Sequence, residues 1–332
     1  MARTPAPAGR GRFETFIGGY QDPPPGVAYP RVLHRPGTEG WRTVFGVVAG
    51  FVFYLSVMSV LPSIVIALAW LVAGRGQSYP EFADNAAAYL NPAGMLAMNL
   101  AIGSLIPVSW LMVASIHRTA PRWLASVGPR IRWRYLAVCA ILAVVVLNAM
   151  QVVTWLLAGT AVHLAPQQGF WGFLAVILAT TWVQATGEEY FFRGYLMQAL
   201  GSLTATPWFG VITSALVFAA MHGAQNVPLF LNRLAFGLVA ALLVWLTGGL
   251  EAGIAGHVVN NVFAYLWAGL TVGIAASRNI TETTWLGSLV GVGGYAVYAL
   301  AAWGVARVMR VGTTTALEAA PAGRSGRGPR PV

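Results

Sequence analysis

Eight apolar stretches run through the middle of the chain, and each ends at proline, glycine or charge. The first, 43–74, carries no charged residue and is long enough to cross a bilayer with tilt or with a kink near Pro62. The others lie near 92–116, 135–162, 170–200, 206–222, 228–247, 250–273 and 284–308. Most are close to the roughly 20 residues that a helix needs to span hydrocarbon. None shows the two-residue alternation of a half-buried strand. The pattern predicts an all-α fold, a polytopic helical membrane protein of about eight transmembrane helices.

Composition agrees and excludes the alternatives. Of 332 residues, 57% are hydrophobic and 9% charged, against roughly 25% charged in an ordinary soluble domain. That leaves too little charge to coat a soluble globule and excludes a disordered chain or a disulfide-rich module. Cys139 is the only cysteine and lies in an apolar run, where it reads as a small packing residue. The five parts expected are an irregular tail over 1–42, a three-helix membrane region over 43–164, a core over 165–275, a last span over 276–310, and a Gly/Pro/Arg-rich tail over 311–332.

The net charge of +10 comes from twenty basic residues, all of them arginine. Most of these fall in the two tails and in the 117–134 loop, which argues for membrane topology and against a nucleic-acid partner. An even number of spans puts both tails and that loop on one side. The positive-inside rule makes that side cytoplasmic, so the chain reads as a multi-pass protein of the plasma membrane with both termini inside.

Between residues 135 and 277 the only formal charges are Glu188, Glu189, Arg193, Arg233 and Glu251. A charge at the bilayer centre costs at least about 2.5–3.5 kcal/mol, so the run Glu188-Glu189-Tyr190-Phe191-Phe192-Arg193 requires partners or water. On an α-helix Glu189 and Arg193 share a face at i and i+4. Glu188 points about 100° away from Glu189, so the two are not expected to serve one target. Arg233 and Glu251 lie near span ends, where snorkelling or loop exposure suffices. His34, His117 and His163 read as solvated or interfacial. His222 closes Phe218-Ala219-Ala220-Met221-His222, and His257 opens His257-Val258-Val259-Asn260-Asn261. If the fourth and fifth spans form an antiparallel pair, Glu188 and His222 sit within roughly 4.5 Å of equal depth. Simple counting leaves His257 at another depth unless the chain near 223–228 dips inward.

Glu-Glu-x-x-x-Arg, Phe-x-x-x-His and His-x-x-x-Asn, in this order on separate apolar segments, resemble the CPBP intramembrane proteases, also known as the CAAX prenyl protease 2 or Abi family. The resemblance covers about 165–275. It implies hydrolysis of a peptide bond in a membrane-embedded or membrane-associated peptide or protein, in a polar cavity open toward the cytoplasm. Glu188, aided by His222, would activate water. His257 and Asn261 would donate hydrogen bonds to the oxyanion. Glu189 and Arg193 would be the supporting pair. No cofactor is required on this reading. Zinc held by Glu188, His222 and His257 is the competing version, since the family has been described as metalloproteases, but the chain has no His-Glu-x-x-His helix. A non-catalytic immunity or scaffold protein could use the same cavity to bind a peptide. Prenylated proteins are the eukaryotic substrate of the family and are not expected from a composition this bacterial in character.

Overall fold

In the computed structural model, residues 19–35, 40–159, 161–223, 225–278 and 280–316 are described. The tail segments 1–18 and 317–332 lie outside them, and so does what was expected there. Among the described residues there is no strand, only two isolated bridges, Ala28 with Thr314 and Ser126 with Gly249.

The helices are α1 (Gly40–Ala69), α2 (Tyr79–Ala87), α3 (Pro92–Gly103), α4 (Leu105–Ser115), α5 (Trp133–Ala158), α6 (Phe170–Glu188), α7 (Met197–Gly201), α8 (Trp208–Ala220), α9 (Val227–Thr247), α10 (Glu251–Leu270), α11 (Ile274–Arg278) and α12 (Trp285–Val308). A π-helical segment, Glu189–Leu196, joins α6 to α7 without a break. Each apolar stretch therefore folds as helix. Six stretches are long and apolar enough to cross a membrane: Gly40–Gly74, Pro92–Ser115, Trp133–Ala158, Phe170–Gly201, Val227–Thr247 and Trp285–Val308. The expected count of about eight is therefore approximate. Helix α8 has only 13 residues, a rise of about 20 Å, short of the roughly 30 Å hydrocarbon layer. Helix α10 has 20 residues but gives up apolarity to Glu251, His257, Asn260 and Asn261.

Helix α6 is central. It packs between α3 and α10; α10 also packs on α5, α5 on α12, α12 on α9, and α9 on α8. Small residues allow the close approaches, as is usual between membrane helices. A Cβ on Gly187 would stand 2.6 Å from the Ile102 carbonyl oxygen and 3.0 Å from the Gly103 Cα. Asn99 spans the same interface, donating to Thr180 Oγ1 at 2.9 Å and to Thr181 Oγ1 at 3.3 Å. Leu156, Trp171 and Leu289 face outward and are well exposed, as lipid-facing side chains should be.

One end of the bundle gathers the arginine-rich segments. The part of the N-terminal tail at 19–35 was expected to be irregular, yet it is docked there. Tyr29 and Val32 are fully buried, and the Tyr29 hydroxyl donates to the Leu124 carbonyl. Gly26 N–H donates to Thr315 O at 2.8 Å, and Thr315 N–H to Val27 O at 2.9 Å. Asp22 accepts from Trp123 Nε1 at 2.8 Å. The two chain ends that are described therefore meet at one end of the bundle, beside the 117–134 loop. Two other expectations, for Glu251 and His117, change here. Glu251 is not loop-exposed: it is fully buried and pairs with Arg132 at 2.5 Å. His34 Nδ1 donates to Ser202 O at 3.0 Å. His117 packs edge-on against Tyr195 at 5.7 Å, where burial first, then Arg42 and Arg35, lowers its pKa from 6.5 to about 4.

Candidate active site

Three helices bring four charged or titratable side chains together. Glu188 ends α6, Glu189 and Arg193 lie on the π-helical segment, and His257 is on α10. Arg193 Nη1 lies 3.0 Å from Glu189 Oε1, with both side chains almost wholly sealed. His257 Nδ1 meets Glu189 Oε1 at 2.8 Å, and His257 Nε2 meets Glu188 Oε2 at 3.2 Å. The two carboxylates thus share one target, contrary to the expectation from α-helical spacing. An imidazole offers nitrogens on two edges, so one ring reaches diverging carboxylates. The helix also widens from Glu189 onward, which shifts the directions of these side chains.

The charges close. Two carboxylates, one guanidinium and one proton shared along Glu188–His257–Glu189 sum to zero, whether that proton rests on the ring or on a carboxyl. Packing supports the arrangement. Gly253 on α10 leaves room for Glu189 Oε2, where a Cβ would intrude to 2.7 Å. The Arg193 guanidinium lies over the Phe218 ring at 4.1 Å and near Phe236 at 5.7 Å, contacts that stabilise a buried cation. Phe218 therefore covers the arginine, and His222 follows one turn later. The two carboxylates differ in access: the Glu188 side chain is 14% exposed and Glu189 is fully sealed.

His222 stands just beyond the C-terminal end of the short helix α8, and the chain then reaches Asn226, which donates to the Thr281 and Thr283 carbonyls before α9 begins. The difference in depth that counting gave for the two histidines does not arise in the structure. His222 and His257 line one cavity of about 240 Å³, together with Phe218, Asn232, Arg233, Asn260, Asn261 and Tyr295. His222 Nδ1 lies 2.7 Å from the Phe218 carbonyl. It must donate there, so in the neutral ring Nε2 keeps its lone pair. Asn261 donates to Gln184 Oε1 at 3.0 Å and accepts from Asn260 at 3.1 Å, leaving one amide N–H uncommitted. In the structure His257, not His222, holds Glu188. The cavity wall uses the first turns of α9 and α12, ends remote from the arginine-rich end, whereas the resemblance implies an opening on that side. Arg233, which sequence reasoning assigned to snorkelling, lines this cavity. Only the early end of α8 could have signalled that.

A zinc ion would require Glu188, His222 and His257 to turn toward one point. Both His257 nitrogens face carboxylates instead, and His222 Nδ1 is committed to a carbonyl. Among the described residues no three His, Cys, Asp or Glu side chains form a group able to hold a metal ion. The donor set does not fit zinc, and no step below runs through it.

The fold and this cluster define a multi-pass helical membrane protein with a buried Glu-Glu-His-Arg centre. Residues 170–263 match the family described as Rce1-like, type II CAAX prenyl endopeptidase, which bears out the family resemblance carried by the three motifs. An uncharacterized protein of Bacillus subtilis (strain 168), YyaK, is 28% identical over 166 residues, covering 48% of this chain. The match spans 56% of that relative's own length. No solved structure matches.

Proposed function

We propose that the protein is an intramembrane endopeptidase that hydrolyses a peptide bond of a membrane-associated peptide or protein through water activated by Glu188. The observation that carries this reading is the pairing of a partly accessible Glu188 with His257 at the edge of a polar cavity inside an apolar helical bundle. Glu188 takes one proton from water, and the water oxygen forms a bond to the carbonyl carbon. The Nε2 of His222, directed by its Nδ1 bond, is the second acceptor for that water. Once Glu188 is protonated it accepts less strongly from His257, which frees that N–H for the developing oxyanion beside the spare Asn261 N–H. Glu188 then returns the proton to the leaving nitrogen as the C–N bond breaks, giving a carboxylic acid and an amine. Glu189 and Arg193 hold His257 in place and do not touch the reacting atoms.

The arginine-rich end, where both described chain ends meet, is assigned to the cytoplasmic face of the plasma membrane. The cavity then lies toward the outer end. The test uses purified Glu188→Ala and His222→Ala proteins, which should insert and fold but lose cleavage of a substrate that the wild type cleaves. Wild-type rates in both variants would overturn the assignment.

A further inference from the structure

Helices α9 and α12 form part of the cavity wall, and the same pair carries a second hollow nearer the arginine-rich end. It is an apolar groove of about 430 Å³, within the size range of small-molecule sites. Leu242 and Leu246 on α9 line it with Ala296, Ala299, Leu300 and Trp303 on α12. No charged or hydroxyl-bearing side chain faces it. The two alanines create the hollow, because larger residues there would fill it. Leu246 and Leu300 are exposed at its edges, so in a bilayer the groove opens onto hydrocarbon. An unfilled slot would leave its lining without dispersion partners on one side.

The chemistry at its end narrows the occupant. Helix α9 finishes at Thr247, whose carbonyl accepts from Arg132, and α12 runs on past Trp303 to Arg307 in its last turn. Positions 296, 300, 303 and 307 recur at steps of four and three, so Arg307 continues the groove's own stripe. Its guanidinium lies 5.7 Å over the Trp303 ring, within reach of a cation–π contact. The Arg307 side chain is exposed, and among the described residues it forms no ion pair. An exposed tryptophan with an arginine one turn beyond is what the head-group layer of a membrane favours. The groove is therefore an apolar slot with an unpaired cation at its polar end. From 296 to 303 it is about 10 Å long. A helix of a second copy, itself about 10 Å thick with side chains, would overfill that space, whereas a single hydrocarbon chain fits.

We propose that this groove binds one acyl chain of an anionic glycerophospholipid, whose phosphate rests on Arg307. The site is separate from the Glu188–His257 cluster and does not depend on what that cluster catalyses. The lipid packs against the helix pair that presents Asn232, Arg233 and Tyr295 to the cavity, and braces that pair from the lipid side.

The experiment uses native mass spectrometry of the full-length protein in detergent micelles. The probes are dioleoyl-phosphatidylglycerol and dioleoyl-phosphatidylcholine, which share their tails and differ in head-group charge. The first phosphatidylglycerol should bind about fivefold or more tighter than phosphatidylcholine, the preference that one basic side chain near an anionic head group supplies. Arg307→Gln should bring the two lipids within about twofold of each other. Arg307→Lys should keep part of the preference and guards against a folding defect. Ala296→Leu, which fills the groove, should weaken the binding of both lipids. Arg75→Gln, at an exposed arginine outside the groove, should leave both unchanged. Equal binding of the two lipids to the wild type, a preference that survives Arg307→Gln, or undiminished binding to Ala296→Leu overturns the proposal. So does a dimer, lost in Ala296→Leu, in place of a lipid adduct.

Discussion

Glu188 and Glu189 are neighbours in sequence and touch the same imidazole, yet their environments call for opposite consequences on mutation. Glu189→Gln keeps the volume and one acceptor for His257 but removes the charge opposite Arg193, which is 1% exposed and lies 3.0 Å away. Breaking a buried pair by removing one partner costs about 3–5 kcal/mol, because the other charge stays buried and uncompensated. The ring stacking over Phe218 offsets only a fraction of that. Glu188→Gln loses a contact of 3.2 Å at a side chain 14% exposed. The amide oxygen still accepts from His257, so the loss should be about 1 kcal/mol. SDS-titration unfolding in mixed micelles, followed by tryptophan fluorescence, compares both with the wild type. Equal losses, or a Glu189→Gln protein more stable than Glu188→Gln, would refute the division of roles between the two carboxylates.

Gly187→Ala should cost about 1–3 kcal/mol, since its Cβ would stand 2.6 Å from a backbone oxygen of α3. Gly293→Ala on α12 meets nothing within 4 Å and serves as a neutral or stabilising control in the same unfolding assay. His117 binds a proton near pH 6.5 when unfolded but only near pH 4 when folded, because burial and then Arg42 and Arg35 disfavour its charged form. The stability it supports is therefore complete above about pH 6.5 and is lost as pH falls toward 4. Thermal midpoints of His117→Gln should fall less over that window than those of the wild type; identical slopes would contradict this. For orientation, Thr313→Cys should react with a membrane-impermeant maleimide only after lysis, and Ile280→Cys in intact cells. Buried Cys139 should stay silent, and the reverse labelling pattern would invert the topology.

The helices were legible because apolar length alone dictates them in a bilayer. The three motifs were legible because charge and histidine are conspicuous against an apolar background. The i, i+4 pairing of Glu189 with Arg193 follows from helix geometry, and the two are in contact. The bridging of both carboxylates by His257 was not legible, since it depends on a π-helical segment that hydrogen-bond register decides and residue type does not. Arg233 was misjudged for a related reason. Its position seven residues into α9 reads as a span end, and only the shortness of α8 turns that end into a cavity wall. Glu251 and the docked segment 19–35 were missed because their partners, Arg132, Leu124 and Thr315, are distant in sequence.

The most direct test of glutamate-dependent proteolysis is comparative membrane peptidomics of cells carrying the wild-type protein or Glu188→Ala at equal abundance. A peptide product present with the wild type, absent with Glu188→Ala and ending at a new carboxylate is the predicted result. Peptide sets that coincide in the two strains, with both proteins folded in the membrane, would contradict it.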